Sequence, residues 1–328
     1  MPFSDIIGHE KQLAALGRAL EQERLHHAYL FLGLEGVGKK SVALSLAKAV
    51  HCRELQHDFC GRCASCVKID NRNHPDVRVV SLLADKKDIS IDQVRALERE
   101  LNYRAFSGGK KIAIIDPAAL MNLPAQNALL KTLEEPPGGS MLILISTHTG
   151  GLLSTVLSRC LRLSFAPLPA RKVADYLVSH RGLKPEEAAL RAAVSLGSLG
   201  RALSPDAQEL AQKRKAWLDR VASLEKGEAV GWAALAEEVS KDREEALKFL
   251  EWLGWWYRDL LIYRVTESDR EVCNLDLIEG LRHQAGSHSL ERTLFLCSQA
   301  VVTAARIRRN VNRRMAMENL LAQMALRK

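Results

Sequence analysis

In the first half of the chain, short unbroken apolar runs alternate with longer amphipathic stretches. The runs are AYLFLG at 28–33, VRVVSLL at 77–83, KIAIID at 111–116, MLILIS at 141–146 and LRLSF at 161–165. Continuous apolarity, as opposed to alternation, predicts strands covered on both faces. The stretches 39–50, 89–106 and 118–135 between them are each long enough for a crossover helix. The pattern therefore predicts an α/β fold with a parallel sheet.

The pattern changes after Phe165. Pro167 and Pro169 interrupt backbone pairing, and no further strand pattern follows, so a linker is expected there. Residues 171–203 read as three short helices separated by Gly182, Pro185 and Gly197, closed by Pro205. From 207 onward, long stretches such as EEALKFLEWLGWWYRDLLIYR and SLERTLFLCSQAVVTAARIRR repeat with the helical period. Three domains are expected: 1–166, a small helical unit at 167–206, and an all-helical unit at 207–328. Trp252, Trp255 and Trp256 fall on one helix face within an apolar stripe, which points to packing against neighbouring helices.

Composition narrows the class. The 328 residues are 47 % hydrophobic and 26 % charged, enough to bury a core in each domain, which excludes general disorder. No window reaches the roughly 18 apolar residues that a membrane span requires, and the N-terminus lacks signal-peptide features, so a cytoplasmic protein is expected. Seven cysteines, four of them between Cys52 and Cys66, argue for metal or redox chemistry over a disulfide framework. The net charge of +8 is compatible with nucleic acid. It concentrates at 304–328, where Arg306, Arg308, Arg309, Arg313, Arg314, Arg327 and Lys328 face a single acid, Glu318. Arg306, Arg309 and Arg313 are expected on one helical face, with Asn312, Met315, Glu318 and Leu321 continuing the same helix as packing positions.

The strongest motif follows the first strand. Gly33-Leu-Glu-Gly36-Val-Gly38-Lys39-Lys40-Ser41 approximates GxxxxGK[ST], in which glycines let backbone N–H groups wrap phosphates, a lysine meets the β and γ phosphates, and a hydroxyl holds Mg²⁺. Gly33, Gly36, Gly38 and Lys39 are the candidate nucleotide-binding residues. Lys40, however, stands at the hydroxyl position, and an ammonium repels the cation that position should hold. Ser41 is one helical residue further on, roughly 100° around the helix. The third run ends Ile115-Asp116-Pro117, where an ATP-hydrolysing site of this class carries Asp-Glu; proline cannot polarise water. Asp116 is equally readable as a strand-end turn residue.

Five stretches together resemble the AAA+ clamp-loader subunits of bacterial replicative DNA polymerase. They are Ile7-Gly8-His9-Glu10, HAYLF at 27–31, NALLKTLEEPP at 127–137, LSRC at 157–160 and GSLGRAL at 197–203. The resemblance covers residues 7–203 and extends loosely to the helical tail as the family's collar domain. It implies an AAA+ nucleotide-binding-like sheet domain, a helical lid and a collar that carries assembly. In that family motor subunits hydrolyse ATP, whereas one type keeps a decayed site and acts as a rigid partner; the substitutions at Lys40 and Pro117 place this chain in the second group, with ATP binding weak at best. The resemblance also gives Arg159 the role of an arginine finger reaching a neighbouring subunit's site, and places Arg201 where the family senses the γ-phosphate.

Cys52 and the run Cys60-Gly-Arg-Cys63-Ala-Ser-Cys66 supply four thiols in overlapping CxxC units, a set that suits one tetrahedral Zn²⁺ or an iron–sulfur cluster. The resemblance favours structural Zn²⁺ in a module at 52–66. His51, His57 and His74 are alternative ligands, each expected as a solvent-facing loop residue, and Cys273 and Cys297 read as core residues in helical segments. The leading expectation is a non-motor, stator-like clamp-loader subunit. Its partners would be other clamp-loader subunits in a hetero-oligomer, with the sliding clamp and primer-template DNA met through that complex and no membrane involved. The alternatives are an active ATPase motor subunit of the same family, or a protein that binds DNA through its C-terminal arginines.

Overall fold

Five strands form one fully parallel sheet: β1 (Ala28–Gly33), β2 (Val77–Val80), β3 (Lys111–Ile115), β4 (Ser140–Ser146) and β5 (Leu161–Phe165). Their order across the sheet is β2-β3-β4-β1-β5. This computed structural model describes residues 3, 6–106, 109–205, 207–225, 231–286 and 289–326, and the chain divides into two units, Met1–Leu168 and Pro169–Lys328.

In the first unit the strands alternate with α1 (Glu10–Glu21), α2 (Lys39–His51), α3 (Ala64–Asp70), α4 (Ile91–Asn102), α5 (Leu123–Glu134) and α6 (Ser154–Leu157). All seven residues of β4 are buried, because both neighbours and both faces cover it. Leu30, Ala113, Ile115, Leu142 and Leu144 meet Val94, Leu97, Leu129 and Leu133 of α4 and α5 in one core. The outer strands depart from the expected two-sided burial. β5 pairs with β1 alone, and of its five residues only Phe165 is fully buried. β2 ends at Val80, short of the apolar run, where the Ser81 carbonyl accepts a bond from Gln93.

Capping chemistry trims the helices relative to the sequence pattern. Ser90 and Gln93 form a reciprocal capping box that starts α4 at Ile91. The stretch 118–135 is a 3₁₀ turn, Ala118–Leu120, followed by α5, because the Asn122 side chain accepts the Ala125 N–H and begins a new helix.

The second unit contains α7 (Ala170–Arg181), α8 (Pro185–Val194), α9 (Leu199–Ala202), α10 (Ala207–Glu225), α11 (Trp232–Val239), α12 (Arg243–Thr266), α13 (Ile278–Gln284), α14 (Leu290–Arg308) and α15 (Arg313–Leu326). Trp217, Phe249, Trp252 and Trp256 form its aromatic centre; the rings of Trp252 and Trp256 stack at 6.1 Å, and Trp256 Nε1 donates to Gln284 at 3.0 Å. Trp255 is only half-buried and lies beneath the Arg258 guanidinium, so two of the three expected tryptophans share the buried face.

The polar core of this unit is equally connected. Arg214 is buried and donates to Ala193 O of α8 at 2.9 Å, to Asn274, and to Asp276 at 3.2 Å. Asp259 accepts from the N–H groups of Cys273 and Asn274 at 2.9 and 2.8 Å. Burial holds the Asp259 carboxyl above the usual carboxylate range, opposed by the Asn274 N–H and Arg258. Cys273 is buried as expected, but in the loop after α12, not in a helix.

The C-terminal arginines do not share a helical face. α14 ends at Arg308; Asn310 adopts a left-handed φ of 63°, and the Val311 N–H returns to Arg306 O at 3.2 Å, a Schellman-type stop. Arg306 therefore belongs to α14, Arg309 to the turn and Arg313 to α15, and Arg313 is engaged with Ser240 O at 2.7 Å. The restart also changes the packing phase. Met317, Leu320, Leu321 and Met324 are buried, while Met315 is 67 % exposed. Arg327 and Lys328 lie outside the described residues. Among the described residues no helix is long and apolar enough to cross a membrane.

All five tryptophans lie in the second unit, so their fluorescence reports its unfolding. Trp256→Ala removes a fully buried ring and leaves Gln284 without its donor, and is expected to lower the urea stability of this unit by about 3–5 kcal/mol. Fluorescence-monitored urea titration of the full chain measures the change.

Candidate functional site

The glycine-rich loop leaves the carboxyl end of β1, which lies between β4 and β5. At Gly33 the backbone passes so close to β5 that a Cβ would stand 2.4 Å from Phe165 O. Gly38 caps α2 with φ 112°, a conformation that only glycine adopts without strain. His9 braces the loop from α1: its Nε2 meets Val37 O at 2.9 Å, and its ring packs edge-on against Phe165 at 4.9 Å. This function of the IGHE stretch is invisible in sequence, because the two partners lie 28 and 156 residues away and only the folded sheet brings them near.

The sequence-derived residues Gly33, Gly36, Gly38 and Lys39 do converge at the N-terminus of α2, but Lys39 is already occupied. It is 5 % exposed, and its Nζ donates to Gly33 O and Leu34 O, each at 2.6 Å. Burial pulls its pKa down to about 8, against the opposing pull of Asp116 and Glu35. The neighbouring Lys40 pairs with Asp116 at the end of β3, Nζ to Oδ2 3.1 Å. The side chain at the hydroxyl position thus brings its own positive charge to the aspartate. Ser41 is exposed on the helix, and Pro117 offers no side-chain acceptor beside Asp116.

Arg159 stands between α6 and β5. Its Nη2 pairs with Glu134 at 2.6 Å and its Nη1 donates to Thr155 O at 2.9 Å. Glu134 belongs to the LLKTLEEPP stretch, so two motifs separated by 20 residues of sequence are joined by one ion pair. The guanidinium remains about one-third exposed. In the second unit Arg201 pairs with Glu251 at 3.0 Å.

The four thiols do come together. Cys52 follows α2, Cys60 lies in the loop, Cys63 caps α3 and Cys66 lies within it, and their sulfurs are all within 4.8 Å of one another, a set that could hold a metal ion. Main-chain N–H groups point at the sulfurs: Leu55 and Cys60 donate to Cys52 Sγ at 3.4 Å and Cys63 donates to Cys60 Sγ at 3.2 Å. Such donors stabilise thiolates. The insert has a small core of its own, in which Phe59 packs with Leu20, Ala49 and Cys66. Of the three nearby histidines, His57 is exposed as expected, but His51 and His74 are buried, because α2 and the segment entering β2 close over them.

Residues 8–169 match the family described as DNA polymerase III, delta subunit, and residues 208–325 match the description of the same subunit's C-terminal part. The chain is 29 % identical to the DNA polymerase III subunit delta' of Bacillus subtilis over 93 % of each protein. It is 32 % identical to the subunit delta' of Pseudomonas aeruginosa over 91 % of this chain and 92 % of that one. The chain belongs to the DNA polymerase III delta' subunit family. Its similarity to the DNA polymerase III subunit tau/gamma of Haemophilus influenzae, 35 % identity, covers 53 % of this chain and 25 % of that protein. The delta' similarity thus extends through the helical second unit, whereas the tau/gamma match covers little more than half of the chain.

Two measurements probe these sites. Burial pulls the native pKa of Lys39 down to about 8, below the ordinary lysine value of about 10.4, so the unfolded chain binds the extra proton between those values and stability should rise as pH increases through that window. Lys39→Met should lose that gain, as read from urea midpoints by far-UV circular dichroism at pH 8 and pH 10. Separately, Cys63→Ser should remove one equivalent of bound metal per chain, as measured by elemental analysis of protein purified without chelator.

Proposed function

We propose that this chain is a non-motor, stator-like subunit of the DNA polymerase III clamp loader. It holds its place in a hetero-oligomer of related subunits while those subunits use ATP to load the sliding clamp on primer-template DNA. The observation that carries the reading is the Lys40–Asp116 ion pair. Hydrolysis at such a loop requires a hydroxyl and an aspartate on Mg²⁺ and a carboxylate beside the attacking water. Here an ammonium replaces the hydroxyl and neutralises the aspartate, and Pro117 stands in the carboxylate's place. Lys39, bonded to the loop's own carbonyls, would have to exchange those bonds for phosphate oxygens before any nucleotide could settle.

Arg159 is read as an arginine finger for the neighbouring subunit's ATP. Its position in the SRC motif, its partial exposure and its support by Glu134 all favour that role, since a guanidinium held by one carboxylate keeps free N–H groups for a phosphate. The metal of the four-cysteine cluster is read as structural Zn²⁺: four thiolates complete a tetrahedron and leave no position for a reacting ligand. Residues 167–206 would serve as the lid, 207–328 as the collar that carries assembly, and the cytoplasm as the location. The tau/gamma similarity favours a second reading, a motor ATPase; the charge at Lys40 opposes it.

In a reconstituted clamp loader, Arg159→Ala should assemble normally yet lower DNA-stimulated ATP turnover and clamp loading, with the one affected site losing on the order of 10³-fold or more. Lys39→Ala in this chain should leave both rates unchanged. Normal turnover with Arg159→Ala would remove the finger assignment, and Mg²⁺-dependent phosphate release by the isolated chain, lost in Lys39→Ala, would establish the motor reading instead.

A further inference from the structure

Beside the cysteine insert lies a second, separate group of metal-ligating side chains. His51 is the last residue of α2, and His74 and Asp76 lie in the segment that leads into β2. They are 7 %, 5 % and 3 % exposed, and one ligand atom from each lies within 4.8 Å of the others. The two imidazole rings lie 4.6 Å apart between centroids, tilted by 44°. His51 Nε2 is buried and has no hydrogen-bond partner among the described residues. A buried imidazole nitrogen without a hydrogen-bond partner is a group that a metal ion would satisfy.

We propose that His51, His74 and Asp76 form a second metal site, distinct from the four-cysteine cluster, that binds a divalent first-row transition ion of the zinc type. Two imidazoles and one carboxylate match the preference of such ions, and a three-residue set leaves the fourth position to water. The carboxylate is held in place, since Asp76 Oδ1 accepts the Phe106 N–H at 2.7 Å and Asp76 O accepts the Ile112 N–H at 2.8 Å. Coordination through either nitrogen of His74 gives up the 3.2 Å bond from the Asp76 N–H, a long contact for its type, in exchange for a metal bond. Space around His51 is restricted: a Cβ on Gly109 would lie 3.3 Å from its ring. The ion would tie the end of the helix that begins at the glycine-rich loop to the entrance of an edge strand, a structural role.

The full-length chain, freed of metal and titrated with Co²⁺, separates the two sites by spectrum. Two equivalents should bind, one showing intense thiolate-to-cobalt charge transfer and the other only the weaker bands of nitrogen and oxygen ligation. His74→Gln should bind a single equivalent with its thiolate bands undiminished, which also shows that the insert is folded, and His51→Gln should behave the same way. Cys63→Ser should lose the thiolate bands and keep the other equivalent. Binding of one equivalent by the unaltered chain, or of two by both histidine variants, would overturn the proposal without affecting the reading of the cysteine cluster.

Discussion

The sheet unit depends on how tightly β1 is held between its two neighbours. It is hydrogen-bonded to β4 on one side and β5 on the other, and where it ends the Gly33 backbone approaches Phe165 too closely for any side chain. That contact seats Phe165, which also touches Phe31 and His9, and His9 in turn holds Val37 in the loop. Chain segments from 8 to 168 thus meet around one strand end, since Leu168 packs where a Cβ on Gly8 would be. The loop is shaped by this frame.

Within that frame, two lysines replace what a ligand and its metal would supply. Lys39 satisfies loop carbonyls, and Lys40 satisfies Asp116. The Lys40–Asp116 pair is partly exposed, at 35 % and 22 %, so its contribution to stability is about 1 kcal/mol or less. Its importance is electrostatic: a fixed ammonium neutralises the carboxylate that a divalent ion would need. The glycine-rich loop thereby keeps its shape while its charges are paired internally, which supports the proposed non-motor role. The same economy of form is visible at Arg159, where Glu134 at the end of α5 holds a guanidinium that stays partly exposed.

Much of the architecture was legible in the residue pattern. Five apolar runs became the five strands, and the chain divides just after the proline break that follows Phe165, between Leu168 and Pro169, into two units where the residue pattern suggests three. The convergence of Cys52, Cys60, Cys63 and Cys66, and of Gly33, Gly36, Gly38 and Lys39, was legible too, because each set lies within a few turns of chain and local geometry suffices to gather it. Element ends were less legible. Asn122 and Asn310 act as punctuation only when their side chain or backbone takes one particular conformation, and asparagine elsewhere in a helix looks no different in sequence.

What the sequence determined by itself is therefore the chemistry available at each point: a lysine where a hydroxyl was required, a proline where a carboxylate was required, four thiols in one short insert. Tertiary structure decided which groups those charges and lone pairs would meet. Asp116 could be read as a turn residue until β3 and α2 placed it 3.1 Å from Lys40. Glu134 and Arg159, or His51 with His74 and Asp76, are pairs and triads only after crossover connections close. Burial of two histidines that a local reading leaves in solvent follows from the same cause: neighbours 20 or more residues away in sequence remove water from a side chain, and no local pattern encodes their approach.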